Sequence, residues 1–297
     1  MLAAAAASTR WGWDEGMAYL LALVSSLFYG AADFLGGMAA RRTATFAVVT
    51  VSQLTGLVLL LAAVPLFPSA TPAGADLAWG AAGGVAGGVG VGLLYHALSV
   101  SAMSVVAPVT AVCAIAVPVM AGLALGEHPG AGALAGVGLA AVAIGLISRE
   151  PAPDRPVLLG ATGRGVLLAL MAGLAIGAFY VALERTAPAA GIWPLVAARS
   201  ASVPMLAAGA LLARRRLRPD RGALAIILAG GALDMVANLL YLLAVRQGLL
   251  SVVAPLASLY PAATVLLAWI VLGERLHWFQ GLGLALAAIA IVLVTGG

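Results

Sequence analysis

From Leu249 to Leu272 the chain runs without one charged side chain. About 20 mostly apolar residues suffice to cross a bilayer as a helix. Such a segment needs lipid or a protein core around it on all sides. It is not the only one: 277–297 carries a single His at its edge. Charges, prolines and glycines cut the chain into ten such segments, near 17–38, 44–67, 75–98, 103–125, 130–148, 163–184, 191–213, 221–245, 250–272 and 277–296. The connections between them are too short for an extramembrane domain. Charged residues make up 9% of the 297, against roughly 25% in soluble domains. So few charges cannot solvate a globule. The expectation is an all-α integral membrane protein of ten transmembrane helices, with the lipid bilayer as its principal partner.

The charges exclude several functions. All 15 basic residues are Arg. They fall between apolar segments, where loop charge belongs, so nucleic-acid binding is not expected. Without Lys there is no Walker lysine, and Gly88-Val-Gly90-Val-Gly92 lies in an apolar segment with no strand before it. ATP-driven transport by this chain alone is therefore not expected. The lone Cys113 excludes an intramolecular disulfide and a multi-Cys metal site, and reads as a packing residue. No His pair, His/Asp ligand set or Ser/His pairing lies within the segments, which argues against an intramembrane enzyme, a metal or a cofactor. Residues 1–16 read as an N-terminal tail and not a signal peptide, since Arg10, Asp14 and Glu15 interrupt them. Met17 is an alternative start.

The chain also matches itself at an offset of 147 residues. Ser104-Val-Val-Ala-Pro108 falls on Ser251-Val-Val-Ala-Pro255, Gly126-Glu127 on Gly273-Glu274, Gly136 on Gly283, and Gly83-Gly84 on Gly230-Gly231. Leu20-Leu-Ala-Leu23 falls on Leu167-Leu-Ala-Leu170. One offset serving five separate blocks marks a duplication, with a first repeat over 17–150 and a second over 151–297. Five segments per repeat is an odd number, so the second half enters the membrane from the opposite side. Inverted repeats of this kind are common in secondary transporters, whose substrate site lies at the repeat interface near mid-membrane. The first, third, fifth, seventh and ninth connections share a face. They hold most of the arginines, among them Arg41, Arg42, Arg149, Arg155, Arg215 and Arg216. The other face holds Arg10, Arg185 and Arg246. The positive-inside rule then puts both termini outside the cytoplasm.

Ser104–Pro108 with Leu125-Gly-Glu127, Ser251–Pro255 with Leu272-Gly-Glu-Arg-Leu276, and Tyr29-Gly-Ala-Ala-Asp-Phe-Leu-Gly-Gly37 resemble the EamA-type transporters of the drug/metabolite transporter superfamily. The resemblance covers the chain from about Met17. It implies export of a small metabolite or drug-like molecule across a bacterial inner membrane. It also implies both termini in the cytoplasm, against the arginine bias.

An ionisable side chain at the centre of a membrane helix costs at least ~2.5–3.5 kcal/mol, so it normally faces a cavity or a partner. Three stand out. Asp234 shares a helix face with Asn238 and Tyr241, at i+4 and i+7. Asp33 follows Ser26 and Tyr29 at the same spacing. Arg199, in the seventh segment, could neutralise Asp234, hold an anionic substrate group, or snorkel to the headgroups. Their counterparts at the 147-residue offset are Gly87, Tyr180 and Ser52, so the charges break the pseudo-symmetry. Gln53, Tyr180, Ser258 and Tyr260 are softer candidates, with helix–helix contacts as the competing role. His96 reads as an interfacial residue, and His128 and His277 as solvated. Glu127 and Glu274 read as structural, each favouring the positive N-terminal end of the helix that follows it in sequence. Pro118 and Pro261 lie deep enough to kink the fourth and ninth helices.

The substrate is thus expected to be a small molecule held by Asp234, Asn238, Tyr241, Arg199, Asp33, Tyr29, Tyr180 and Tyr260. Asp234 and Asp33 are the carboxylates for proton coupling. A lipid-linked-sugar flippase component is the alternative, and the unit is a monomer or homodimer.

Overall fold

The computed structural model describes residues 15–40, 42–68, 70–100, 103–148, 159–215 and 217–296. The expected tail over 1–14, Arg41, Arg149, Arg155 and Arg216 lie outside the described residues, as do most side chains of the Ser104–Pro108 motif. The described helices are α1 (Glu15–Ala40), α2 (Thr45–Ala63), α3 (Gly74–Val100), α4 (Met103–Ala124), α5 (Ala131–Ile147), α6 (Leu159–Glu184), α7 (Trp193–Leu212), α8 (Arg221–Val245), α9 (Leu250–Ala257), α10 (Tyr260–Leu272) and α11 (Trp278–Gly296). Eight segments are long and apolar enough to cross a membrane, with Leu250–Leu272 taken as one. Two shorter apolar helices, Val109–Ala124 and Ala131–Ile147, accompany them. Length and apolarity alone therefore support eight spans, not ten. Leu59, Leu61, Ile270 and Val292 point outward and are exposed, as lipid-facing side chains would be.

The ninth expected segment is not one helix. It breaks at Ser258–Leu259 and restarts as α10, with Pro261 in the new first turn. Pro261 has no N–H to give the Ala257 carbonyl, and its ring crowds that carbonyl. Pro255 removes a second donor six residues earlier. Pro118 has no such effect, because α4 runs through it unbroken.

The two halves pack as an inverted pair. A Cβ added to Gly136 would meet Val294 Cγ2 at 2.7 Å and the Ala290 carbonyl at 2.9 Å. One added to Gly283 would meet Ile147 Cγ1 at 2.7 Å and the Ala143 carbonyl at 2.9 Å. Gly136 and Gly283, Ala143 and Ala290, and Ile147 and Val294 are all pairs at the 147-residue offset. The start of α5 thus lies on the end of α11, and the reverse, as a two-fold axis in the membrane plane requires. Small residues bring the backbones together elsewhere, in the manner of membrane interfaces. Gly84 of α3 lies against the Ala198 carbonyl of α7, and its counterpart Gly231 of α8 lies against the Ser52 carbonyl of α2.

Candidate functional site

One face of the bundle is clamped by polar groups joining the halves. It carries the α2–α3, α4–α5, α6–α7 and α8–α9 connections. Asp76, in the first turn of α3, accepts from the Ala73 N–H at 2.9 Å and from the Ala187 N–H at 2.7 Å. It therefore caps its own helix and pins the α6–α7 connection. Arg246, just past α8, donates to the Ala187 carbonyl at 3.1 Å and to Thr186 Oγ1 at 3.4 Å. Burial pulls the Arg246 pKa down to about 10, with Asp76 opposing the shift. The guanidinium therefore stays charged at neutral pH. The Arg185 guanidinium sits 5.9 Å from the Trp79 ring centroid.

Glu127 completes this clamp. Its carboxylate accepts from the Leu250 N–H at 2.7 Å and the Ser251 N–H at 2.8 Å. The sequence reading assigned it to the helix that follows it, α5. The structure corrects the partner: it caps α9 of the other half, where unsatisfied N–H groups and the positive helix end favour a carboxylate. Glycines allow this. Gly126 has φ +88°, and a Cβ on Gly122 would stand 2.2 Å from Glu127 Oε2. The residue at the offset from Gly122 is Trp269, so Glu274 cannot fold back along its own helix in the same way.

The opposite face carries most of the arginines. There a cavity of about 630 Å³ opens between α2, α3 and α7, lined by Thr43, Phe46, Val91, His96, Leu206 and Arg215 among others. None of the charged residues of the membrane interior lines it. Its wall residues Val49 and Leu206 stand one helical turn from Gln53 and Ser202.

Between the faces lies a polar bridge. Arg199 Nη2 donates to Asp234 Oδ2 at 2.5 Å, and Arg199 Nη1 donates to Gln53 Oε1. Ser202 Oγ also donates to Gln53 Oε1, at 3.1 Å. Three helices, α2, α7 and α8, meet at one guanidinium. Arg199 is buried, which excludes the snorkelling reading in this conformation. Each terminal nitrogen of Arg199 already gives one hydrogen bond within the protein, and its charge is balanced by Asp234.

Burial along the two polar stripes changes in one direction. On α8 the Asp234 side chain is 29% exposed, Asn238 is 2% exposed and Tyr241 is fully buried. Asn238 Nδ2 donates to the Asp234 carbonyl at 2.7 Å, and Tyr241 Oη donates to the Tyr180 carbonyl at 3.3 Å. Neither side chain can touch a solute in this conformation. On α1, Ser25 and Ser26 are buried, Tyr29 is half-buried, and Asp33, Gly37 and Ala40 are exposed. The α1 stripe closes toward the clamped face and opens toward the arginine face, whereas on α8 the positions on the arginine side of Asp234, namely Ala223, Ile227, Gly230 and Gly231, are buried.

Aromatic rings fill the interior beside the bridge. Tyr29 and Tyr260 meet edge to face at 6.2 Å, and Tyr180 and Tyr241 tilt together at 4.6 Å. Asp33 lies within electrostatic reach of Asp234 and Tyr180. The Tyr29 hydroxyl is buried with no hydrogen-bond partner, and the Ser258 hydroxyl lies within hydrogen-bonding reach of Tyr180. The sequence reading missed Asp76 and Arg246; their offset positions, Ala223 and Ser99, lack the charge and so marked them as asymmetric. No group of three or more His, Cys, Asp or Glu able to hold a metal occurs among the described residues.

Inverted halves, a charge pair of one half bonded to Gln53 of the other, and unequal faces define a multi-pass membrane protein of the secondary-transporter type. Residues 16–149 and 163–296 each match the EamA-like transporter family. The chain belongs to that family, within the drug/metabolite transporter superfamily. No curated relative matches the chain. A solved structure described only as "Crystal structure of protein" is similar at a TM-score of 0.76. It is 15% identical, with 93% of this chain and 95% of that chain covered, and it shows the fold alone.

Proposed function

We propose that the chain exports a small metabolite or drug-like molecule by alternating access, using ten membrane crossings. In this reading the two shorter apolar helices complete five crossings per half. The substrate sits between the halves beside Asp33, Tyr29, Tyr180 and Tyr260. Gln53 of the first half joins the Arg199–Asp234 pair of the second, and Asn238 and Tyr241 brace the pair from behind. Movement of one half against the other would release the Asp76, Glu127 and Arg246 clamp and close the arginine face. Asp33 and Asp234 are the carboxylates through which a proton gradient would couple. The arginine excess favours a cytoplasmic open face in a bacterial inner membrane, with both termini outside, and a reporter fused after Gly297 tests that. The working unit is a monomer or homodimer.

The observation that carries this reading is the one-directional burial of the α1 stripe, which leaves Asp33 exposed toward the arginine face. A static membrane scaffold has no need of an interior carboxylate reachable from one face only. The test is flux through the purified chain in liposomes, against a metabolite panel, with and without a pH gradient. Selective flux that falls to background in Asp234→Asn is expected. Flux of no panel member, or flux indifferent to Asp234→Asn, contradicts the reading.

A further inference from the structure

We propose that the interior site takes a substrate through a positively charged group, an ammonium or other organic cation, held at the Asp33 carboxylate among the rings of Tyr29, Tyr180 and Tyr260. The inference rests on the transport reading and narrows its substrate to one charge class.

Charge is the first argument. Three ionisable side chains of opposite sign occupy this part of the membrane interior: Asp33, Asp234 and Arg199. Arg199 and Asp234 neutralise each other at 2.5 Å, and the second arm of Arg199 is taken by Gln53. Asp33 has no hydrogen bond or ion pair among the described residues. Among these three groups the site thus carries one surplus negative charge, its arginine being already balanced by Asp234.

Access is the second. Asp33, Gly37 and Ala40 are all exposed and follow one another at helical spacing to the end of α1 at the arginine face. The lipid-facing stripe of α1, Leu20 and Leu27, lies about 130° round the helix from Asp33 at 100° per residue. Gly30, one turn before Asp33, packs on α10 at Tyr260 and Ala263, while Ala32, Leu35 and Gly36 pack on α8 at Gly230. Asp33 therefore projects between α8 and α10 into the space between the halves and not into lipid.

The walls are the third. Tyrosine faces attract a desolvated cation and have no comparable attraction for an anion. The unpartnered hydroxyl of Tyr29, one helical turn before Asp33, is a polar atom able to accept from an ammonium N–H. Tyr180 is the residue at the 147-residue offset from Asp33 and lies within its electrostatic reach. The carboxylate and this ring therefore flank the pseudo-two-fold axis, where a ligand between two inverted halves would sit.

The test uses the full chain in lipid nanodiscs and three probes of similar size: phenethylammonium, 3-phenylpropionate and 2-phenylethanol. Melting temperature is recorded against probe concentration, since a ligand that binds only the folded state raises it. Phenethylammonium should raise it, with the anion and the neutral alcohol at least tenfold weaker. Asp33→Asn should weaken the cation at least tenfold while keeping the probe-free melting curve, and Asp33→Glu should restore part of the binding. Three results overturn the proposal: a stronger response to the anion or the alcohol, cation binding unchanged in Asp33→Asn, or no response to the cation. The charge series on the unaltered chain decides even if a variant fails to fold. The same probes in liposomes separate the two readings. Anion flux would sink this inference and leave transport standing. Cation binding that depends on Asp33 without flux of any solute would do the reverse.

Discussion

The two faces of this bundle are built from equivalent segments and held by different chemistry. On the clamped face, Asp76, Glu127 and Arg246 tie the α6–α7 connection and the start of α9 to their neighbours. On the arginine face the positions at the offset from Asp76 and Arg246 are Ala223 and Ser99. Among the described residues, the loops of the two halves meet there through Asp220 N–H to Thr43 Oγ1 at 3.4 Å, an exposed and long contact. Symmetry of the backbone therefore does not carry over to the fastening of the ends. The duplication supplies two doors, and a few polar substitutions decide which is shut.

The largest test of that contrast removes what lies between the doors. Arg199→Leu would strand the buried Asp234 carboxylate, a loss of about 3–5 kcal/mol. It should appear as a sharp fall in melting temperature, and Arg199→Leu combined with Asp234→Leu should recover much of it. Recovery of none would mean the pair is not the bridge.

Glu127→Ala comes next. It leaves two N–H groups of α9 without their acceptor, at about 2–3 kcal/mol for charge-assisted hydrogen bonds. In a Cys113→Ser background, Ser251→Cys should then react faster with a thiol reagent that cannot cross the membrane. Gly122→Ala should mimic it, because the added methyl would displace the carboxylate. Labelling unchanged in both would show that the clamp is shut by other means.

Asp76→Ala should cost less, about 1 kcal/mol for its cap on α3, and should loosen the α6–α7 connection in hydrogen exchange without changing exchange at α2. The smallest effect belongs to Trp79→Leu, which removes an exposed cation–π contact worth about 0.5–1 kcal/mol. A loss larger than that of Asp76→Ala would reverse the ranking.

Spans and repeat were legible because both depend on pattern: charge-free runs, and one offset shared by five blocks. The Arg199–Asp234 partnership was legible in outline, since two opposite charges in lipid must find partners. The rest depended on distance along the chain. Glu127 bonds residues more than 120 positions away, and a local reading could offer it only the next helix. Pro118 and Pro261 send the same signal, yet α4 continues and α9 stops. The second proline six residues away distinguishes the two, and its weight could not be judged before the backbone was seen. Asn238 and Tyr241 do share a face with Asp234, but helix periodicity says nothing of how the gap in front of that face narrows.

The substitutions that separate the halves have one further consequence, which concerns free energy and not geometry. A pair of identical halves related by an inverted axis would present the same structure to both sides of the membrane. Its two access states would be mirror equivalents of equal energy, each half populated. Here Asp33 answers to Tyr180, Arg199 to Ser52 and Asp76 to Ala223, so the two access states of the proposed cycle would have different contacts and therefore different populations. Neither half doubled could rebuild the site: two first halves would lack the arginine, and two second halves would lack Asp33 and Gln53. Fusion into one chain let the two sequences drift apart, and that drift gives the molecule a resting side.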